Sequence, residues 1–364
     1  MIPDAGNFLY DLVRIYSPTG KEGKVADALT KRLAGFSADS VYKDSVGNVM
    51  AIFRGEGPRI LVCGHMDTVP GRLPVTRKGD IITGRGAVDA KGSLVSLLLG
   101  SELAKRSGFR SEIIFASVIG EEGPSKGIHN ISEQVPVCDY AIFGEPSNGT
   151  DVTVGYRGRI LLRLNFKSGS YHASAPWMGS NAVDTAIQAW KIIKEKYGDN
   201  RDFAKVSVGL TRIRGGKADN MTPADCYMIL DIRYPPSRKE DELTNEILTL
   251  ISSGIGNEGW DHVIVGNVQP YVSAMKSEIV RCFSESVFEK TGKKPPMLFK
   301  SGSGDMNILG SKWKIPAITF GPGNPRLSHT SHEEISITEV EETSKVVCNA
   351  LLKLQKHLDS NSHP

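Results

Sequence analysis

The chain has 364 residues, 40% of them hydrophobic and 23% charged, which is more chain than one hydrophobic core usually serves. Its 44 lysines and arginines nearly balance its 41 aspartates and glutamates, and no basic run stands out, which argues against a dedicated nucleic-acid-binding protein. We therefore expect two domains and no nucleic-acid partner.

The cysteines and the N-terminus bear on the location of the protein. The five cysteines form no Cys-x-x-Cys pair, and an odd number cannot all pair within one chain. Asp4, Asp11 and Arg14 interrupt the segment in which a secretory signal needs continuous apolar residues. No later run approaches the roughly 18 apolar residues of a membrane span. We expect a cytoplasmic protein without a membrane partner.

Helical and strand patterns alternate over the first part of the chain. Apolar residues recur at helical spacing in NFLYDLVRIY and again in KVADALTKRLAGF, which predicts two opening helices. The next segments predict four strands and one helix, in the order NVMAIF, RILVC, helical GSLVSLLLGSELAKRS, EIIFASVI and DYAIF. Apolar strands separated by helices favour an α/β fold with a mainly parallel sheet covered on both faces.

The pattern changes near residue 158 and changes back near residue 274. Between them, ILLRLNF, a helix over residues 182–197, KVSVGLTRIR, CYMILDIRY, a helix over 240–251 and VIVGNV give the order of a small α+β sandwich. A helix over 280–288, the strands MLF and AITFG, and a closing helix over 339–358 follow. We predict a first domain of residues 1–157 and 274–364, interrupted by a second domain of residues 158–273.

Residues of metal-binding type follow four of the predicted apolar strands. They are His65 and Asp67 after ILVCG, Glu121 and Glu122 after IIFASVIG, Glu145 after YAIFG, and His329 beyond AITFGPGN. Asp89 lies between them in the chain, in GRGAVDAKG. Because the carboxyl ends of parallel strands meet at one edge of a sheet, residues this far apart can converge there. One histidine after a strand would indicate little, but the whole set predicts a metal site.

The residue types indicate which chemistry that site supports. Two histidines with several carboxylates suit two divalent ions better than a structural zinc site, which prefers cysteine thiolates. A paired site can polarise a carbonyl and lower the pKa of water toward neutrality, as amide hydrolysis requires. Glu121 and Glu122 are neighbours whose side chains point in different directions on an extended segment, so they can divide the duties of ligand and general base.

Five motifs resemble one family of enzymes. GHMDTVPG, GRGAVDAKG, GEEGPSKG, GEPSNGT and GPGNPRLSHTSHEE resemble the binuclear zinc aminoacylase and carboxypeptidase family, which includes acetylornithine deacetylase and succinyl-diaminopimelate desuccinylase. The resemblance spans almost the whole chain. It implies a zinc-peptidase-like α/β catalytic domain interrupted by a ferredoxin-like lid and dimerisation domain. It also implies a homodimer with two divalent ions per subunit, zinc or cobalt.

The resemblance implies a role for each residue of the predicted metal site. It makes Asp89 the ligand that bridges both ions, His65 and Glu145 ligands of one ion, and Glu122 and His329 ligands of the other. Glu121 becomes the base that activates the bridging water, and Asp67 the acid that orients His65.

The last ligand requires a choice between two nearby histidines. His329 and His332 lie three residues apart. In the family, the ligand is followed four residues later by Glu, and Glu333 gives His329 that spacing. The resemblance therefore favours His329, and His332 is interpreted as a surface or supporting side chain.

The inserted segment also contains positions that the resemblance makes functional. In SYHASAPWMGSNAVDTAI, His172 matches the histidine that reaches the neighbouring subunit's site and stabilises the oxyanion of the tetrahedral intermediate. The other matches are a substrate-contacting asparagine, two carboxylate-binding arginines and a hydrogen-bonding serine, namely Asn220, Arg157, Arg233 and Ser303. Without the resemblance, these would be interpreted as exposed, turn or ion-paired surface residues.

One branch of the family has the most similar motifs. GRGAVDAKG, GEPSNGTDVTVGYRG, SGSGDMNIL and FGPGN look most like the archaeal and thermophilic-bacterial lysine-biosynthesis hydrolases. That branch releases lysine, and in some organisms ornithine, from an amide to the C-terminal glutamate of a small acidic amino-group carrier protein. We therefore expect hydrolysis of a carrier-protein conjugate in lysine or arginine biosynthesis.

Other functions compete with this expectation. An acetylornithine or acetyl-lysine deacetylase, a succinyl-diaminopimelate desuccinylase or a dipeptidase would use the same metals and base. A non-catalytic binding protein could keep the fold, but every expected ligand and Glu121 are present. A nucleotide site in GRGAVDAKGS is rejected because the order is Lys91-Gly92-Ser93 rather than Gly-Lys-Ser, and Asp89 would put negative charge beside the phosphates.

Overall fold

The computed structural model describes residues 4–198 and 200–361. The chain divides into two compact units. The first unit comprises Met1–Gly155, Ser273–Leu298 and Gly304–Pro364, and the second comprises Tyr156–Val272 and Phe299–Ser303. The second unit is thus built from a long inserted segment and a short later one. Its predicted role as a lid and dimerisation domain stays a prediction.

The elements of the described residues follow in chain order. The helices are α1 (Ala5–Arg14), α2 (Gly23–Leu33), α3 (Ser93–Arg106), α4 (Lys126–Gln134), α5 (Ala182–Tyr197), α6 (Glu240–Ile255), α7 (Glu278–Thr291), α8 (Asp305–Trp313) and α9 (Ile337–Asn361). The strands are β1 (Ser40–Lys43), β2 (Val49–Phe53), β3 (Arg59–His65), β4 (Thr76–Lys78), β5 (Ile81–Thr83), β6 (Glu112–Val118), β7 (Tyr140–Gly144), β8 (Val152–Tyr156), β9 (Gly158–Lys167), β10 (Ser207–Gly215), β11 (Asp225–Tyr234), β12 (Trp260–Val268), β13 (Tyr271–Val272), β14 (Met297–Lys300), β15 (Ala317–Thr319) and β16 (Glu334–Ser336). Among these residues, no helix has both the length and the hydropathy needed to cross a bilayer.

The first unit is built on a sheet whose centre is parallel. Its strand order is β1-β2-β6-β3-β7-β15-β8, and β3 runs parallel to both β6 and β7, while β15 runs parallel to β7. After Arg59, every residue of β3 is buried, although successive side chains of a strand point to opposite faces. Both faces of the sheet centre are therefore covered, which confirms the predicted α/β class.

The outer strands of this sheet are antiparallel. β1 and β2 form a hairpin, in which one carboxylate oxygen of Asp44 accepts hydrogen bonds from the backbone N–H groups of Val46, Gly47 and Asn48. This is the local turn-forming chemistry of aspartate, and Gly47 adopts the φ of 107° that the turn requires. β8, at the other side, runs antiparallel to β15.

The parallel centre determines where the functional side chains emerge. His65 is the last residue of β3, Glu121 and Glu122 follow β6, and Glu145 follows β7. Because these three strands run in the same direction, their carboxyl ends share one edge of the sheet. The four side chains therefore start from neighbouring positions on that edge.

The second unit is an antiparallel sheet with two helices on one face. Its strand order is β10-β11-β9-β12, and burial alternates along β9 and β11. Buried residues of these strands, such as Leu162 and Leu230, pack in one core with residues of α5 and α6. The intervening residues, such as Arg163 and Asp231, point to the other face. The observed order of strand, helix, two strands, helix and strand is the predicted one.

Helices α3 and α9 pack closely because Gly100 of α3 has no side chain. A Cβ at this position would lie 2.6 Å from the Cβ of Val347 and 2.8 Å from the carbonyl oxygen of Ser344. Both residues belong to α9 and are buried. The observed spacing of the two helices therefore requires glycine at position 100.

We expect Gly100→Ala to lower the free energy of unfolding by about 1–3 kcal/mol, because the added methyl group overpacks the helix contact. Gly23→Ala is the matched control, since a Cβ at the start of α2 meets nothing within 4 Å. Urea unfolding of both variants measures the difference. Equal stability of the two variants would contradict the close approach of α3 and α9.

Candidate metal centre

His65 ends the central strand β3, and hydrogen bonding sets the orientation of its ring. Nδ1 lies 3.0 Å from the carbonyl oxygen of Asp67 and 3.4 Å from its Oδ1. Because a carbonyl oxygen only accepts, we assign a proton to Nδ1, so Nε2 is the nitrogen that a cation could bind. Nε2 is buried, has no hydrogen-bond partner among the described residues, and faces Asp89 Oδ1 at 3.3 Å and Glu145 Oε1 at 3.6 Å.

Asp89 lies between two histidines, in an irregular turn over Ala87–Gly92 that precedes α3. Its Oδ1 is 3.3 Å from His65 Nε2, and its Oδ2 is 3.2 Å from His329 Nε2. Burial opposes ionisation, but the two histidines outweigh it and hold the pKa of Asp89 well below its usual range. A carboxylate that presents one oxygen to each histidine has the arrangement of a ligand shared by two cations.

His329 reaches this cluster from the loop that follows β15. Its φ is 62°, a left-handed conformation that is uncommon for residues other than glycine. Nε2 lies 2.8 Å from Glu122 Oε1, and the carboxylates of Asp89 and Glu122 raise the pKa of His329 to about 10. His332 instead pairs with Glu334 at 3.0 Å.

Glu121 has an environment that differs from that of its neighbour Glu122. Burial, reinforced by the negative charge of Glu145, raises the pKa of Glu121 well above its usual value. Gly304 leaves space for this side chain, since a Cβ there would lie 3.1 Å from Glu121 Oε1. A carboxylate with raised proton affinity beside a cation site can accept a proton near neutral pH, as a general base must.

Asp67 is fully buried and joins the two segments that provide His65 and the glutamate pair. Its Oδ2 accepts hydrogen bonds from Thr19 Oγ1 at 2.7 Å and from the N–H of Glu122 at 3.2 Å. Its Oδ1 accepts from the N–H of Glu121 at 3.1 Å. Despite burial, the hydrogen bond and charge of His65, with these donors, lower its pKa. Asp67 thus fixes the Glu121–Glu122 turn against the end of β3.

The donor set fits a pair of divalent cations. The ligand atoms of His65, Glu121 and Glu145 lie within 4.8 Å of one another, and so do those of His65, Asp89 and Glu122. Imidazole nitrogens with carboxylate oxygens suit zinc, cobalt and similar ions. Nε2 of His65 is buried and faces carboxylate oxygens, and a cation placed between these atoms would satisfy all of them.

Glu333 is a buried carboxylate. The sequence motifs indicated only its spacing of four residues from His329, not a role of its own. Its Oε1 forms a short ion pair with Arg85 Nη1. Its Oε2 accepts from the backbone N–H groups of Gly86 at 3.0 Å, Val88 at 3.3 Å and Asp89 at 3.4 Å. Because Glu333 follows His329 by four residues, it ties the loop of that histidine to the turn that holds Asp89.

Two other buried ionisable residues near the site were not predicted. The Nζ of Lys91 donates to the carbonyl oxygens of Leu12 at 3.0 Å and Ile15 at 2.7 Å, at the C-terminal end of α1, and burial lowers its pKa to about 7. Asp305, the first residue of α8, has its pKa raised to about 8 by burial and by the charge of Glu145. The SGSGD motif contains Asp305, but its pattern alone indicates no role.

In the second unit, His172 and Asn220 lie side by side on adjacent segments. The N–H of Ala173 donates to the carbonyl oxygen of Asn220 at 2.8 Å, and both predicted residues are exposed. The N–H of Ser174 donates to His172 Nδ1 at 3.2 Å, so the neutral ring carries its proton on Nε2. An exposed Nε2–H is the kind of donor that stabilises an oxyanion.

Arg157, Arg233 and Ser303 form one network in the second unit. Ser303 Oγ accepts from Arg233 Nη1 at 3.1 Å and donates to the carbonyl oxygen of Arg157 at 3.0 Å. The side chain of Arg157 is 1% exposed, and its Nη1 donates to Lys205 O and Ser207 Oγ, both at 3.1 Å. Arg233 keeps 23% of its side chain exposed. Of the two arginines predicted to bind a carboxylate, Arg233 is therefore the accessible one.

We expect Glu333→Gln to weaken metal binding by about 10- to 100-fold, because the amide removes the negative charge that pairs with Arg85 and orders the Asp89 turn. Glu334→Gln is the control, since this neighbouring side chain is more exposed and pairs with His332. Competition of zinc with a chromogenic chelator measures both affinities. Equal zinc affinity in the two variants would show that Glu333 does not position Asp89.

Known proteins match the chain over nearly its whole length. The model of the peptidase family M20/M25/M40 matches residues 61–353. A LysW-lysine/LysW-ornithine hydrolase from Sulfurisphaera tokodaii is 35% identical over 346 residues, which cover 95% of this chain and 94% of that protein. The archaeal relative from Saccharolobus islandicus with the same name is 33% identical and covers 92% of both chains.

A solved structure shares the fold at lower identity. The Bacillus subtilis protein described as a dinuclear metal binding peptidase of the M20 family has a TM-score of 0.71 and 14% identity, over 96% of this chain and 97% of that one. The family model and the archaeal relatives confirm the resemblance that the sequence motifs carried. The chain belongs to the peptidase family M20/M25/M40.

Proposed function

We propose that this chain is a binuclear metal-dependent amide hydrolase in which Asp89 would be the ligand shared by two ions. His65 and Glu145 would complete one ion's ligands, and Glu122 and His329 those of the other. The observation that carries the proposal is the position of the two Asp89 oxygens, 3.3 and 3.2 Å from two different histidine nitrogens. The mixed nitrogen and oxygen donors suit zinc, with cobalt as the alternative.

The residues around this centre divide the work of hydrolysis. Bound ions would act as Lewis acids that polarise the amide carbonyl and activate water. Glu121 takes the proton from the attacking water and delivers it to the nitrogen of the leaving amine. His172 donates its Nε2–H to the oxyanion of the tetrahedral intermediate. Arg233, with Ser303 and Asn220, binds the polar groups of the substrate, including a carboxylate.

The proposed substrate is lysine or ornithine linked by an amide to the C-terminal glutamate of an amino-group carrier protein. The support is the 35% identity, over 95% of this chain, to a relative whose name specifies LysW-lysine and LysW-ornithine. We place the reaction in the cytoplasm, where the five cysteines, all buried thiols, stay reduced.

A hydrolysis panel tests this substrate. Zinc-loaded enzyme should have a kcat/KM for the LysW-lysine or LysW-ornithine conjugate at least about tenfold above that for acetyl-lysine, acetyl-ornithine, succinyl-diaminopimelate and dipeptides. The reason is that only the conjugate offers the carrier as an additional binding surface. Preference for a free acetylated amino acid would instead indicate a deacetylase with the same metal chemistry.

We also propose a homodimer formed through the second unit, with His172 serving the partner's site. The edge strand β12 exposes three successive apolar residues, Val263, Ile264 and Val265. An apolar edge strand favours pairing with another chain. The exposed position of His172 agrees with a role toward a group outside its own unit.

Two variants test the proposed base and the proposed partner histidine together. Glu121→Gln should keep both ions but lose at least about 10² in kcat, because the amide cannot accept the proton. His172→Ala should also be inactive. A mixed dimer of the two should regain activity, since one of its two sites combines an intact base with an intact partner histidine.

The mixing experiment needs verified subunit exchange and metal analysis of each variant. An active Glu121→Gln enzyme would assign the base role to another residue. No recovery in a verified mixed dimer would mean that His172 does not act across subunits.

A further inference from the structure

The second unit has a sheet face that its own helices do not cover. Residues of β9 and β11 that alternate with the buried core residues point to this face, and residues directly opposite on neighbouring strands point the same way. By this register the face carries six cationic side chains: Arg159, Arg163, Lys167, Arg212, Arg214 and Arg233. We call this surface the basic face.

The acidic side chains on the basic face are fewer and are already engaged. The register places three aspartates there, namely Asp225, Asp231 and Asp261. Asp231 binds both Arg159 and Arg233, Asp225 pairs with Lys217 at 2.9 Å, and Asp261 accepts from Asn165. The face therefore has an excess of three positive charges, six against three, on a chain whose total net charge is +3.

Three arginines of the basic face could form an ion pair with a carboxylate of another protein. Within residues 4–198 and 200–361, Arg163, Arg212 and Arg214 lie within ion-pair distance of no carboxylate. Arg212 and Arg214 are exposed. The guanidinium of Arg163 stacks on Tyr227 at 4.2 Å, and its Nε donates to Asn165 at 2.8 Å. An ordered arginine loses little side-chain entropy when a carboxylate binds it.

We propose that the basic face is the docking surface for an acidic protein partner, and that this partner is the carrier portion of the substrate. The inference rests on the proposed function, because the conjugate supplies the partner. Arg233, the proposed carboxylate-binding residue, lies opposite Arg159 on the same face. A carrier protein that docks there would lie next to Arg233, which is proposed to bind the carboxylate of the attached amino acid.

The composition of the basic face favours protein over nucleic acid. Apolar residues lie between the arginines, with Ile229 opposite both Arg212 and Arg163 and Val263 opposite Arg163. Protein interfaces combine arginine, tyrosine and apolar residues in this way. A nucleic-acid-binding sheet instead needs free aromatic faces for base stacking, and the ring of Tyr227 is covered by Arg163.

Removal of the two exposed arginines provides the test. Arg212→Ser/Arg214→Ser should lower kcat/KM for the LysW-lysine conjugate about tenfold at 50 mM salt and about twofold or less at 500 mM, since salt screens the lost attraction. Its activity on acetyl-lysine should change less than twofold, which also verifies that the variant is folded. Arg212→Lys/Arg214→Lys, which retains the charge, should keep most of the conjugate activity.

Lys191→Ser/Lys194→Ser is the matched control, because it removes two charges from α5, on the opposite face of the same unit. It should leave conjugate activity unchanged. An equal loss in both double variants would overturn the basic face as the docking surface. So would tighter binding of a single-stranded RNA 12-mer than of the conjugate to Glu121→Gln enzyme.

Direct binding separates this proposal from the proposed function. If wild-type enzyme hydrolyses no conjugate, the function fails. Docking is still measured by calorimetry of the conjugate with the wild type and with Arg212→Ser/Arg214→Ser. Binding that falls about tenfold in that variant supports the basic face, and binding that does not change overturns it.

Discussion

The site depends on one constraint, the crowding of carboxylates at one edge of a mostly buried sheet. Asp67, Asp89, Glu121, Glu122 and Glu145 all project from that edge or the turn beside it. In a medium of low dielectric constant their mutual repulsion is large unless positive charge lies among them. The proposed ions would supply that charge, so the crowding of the carboxylates gives this edge of the sheet an affinity for cations.

Two of the buried carboxylates have a supporting task rather than a chemical one. Asp67 connects the end of β3 to the Glu121–Glu122 turn, and Glu333 connects the His329 loop to the Asp89 turn. Each accepts several backbone N–H groups, which orders irregular segments that no strand or helix holds. The proposed ligands come from separate segments and therefore keep defined positions, although most of them lie in loops or turns.

The elements that could be predicted are those with a clear hydrophobic pattern or a recognisable motif in the sequence. The proposed ligands His65, Glu122 and Glu145 follow buried strands, so strand ends and motifs together predicted that these residues lie near one another. The order of the second unit followed from the alternation in ILLRLNF and CYMILDIRY. β8, α4 and α8 were not predicted. They are short, and the periodicity of hydrophobic residues cannot be recognised over so few positions. The roles of Glu333, Lys91 and Asp305 were not predicted either. A buried charged residue follows no periodic pattern in the sequence, and its role can be inferred only when the structure shows which groups it contacts.

The wide spacing of the ligands along the chain has a consequence for synthesis. A ribosome releases His65, Asp89, Glu122 and Glu145 well before His329 and the supporting Glu333, which come much later in the chain. Contacts of such large sequence separation form late. The nascent chain therefore presents an acidic cluster that lacks its second histidine until residue 329 has been synthesised. Full metal loading would then require residue 329 to have been synthesised, and a chain truncated before it is expected to hold ions weakly even with the other four proposed ligands in place.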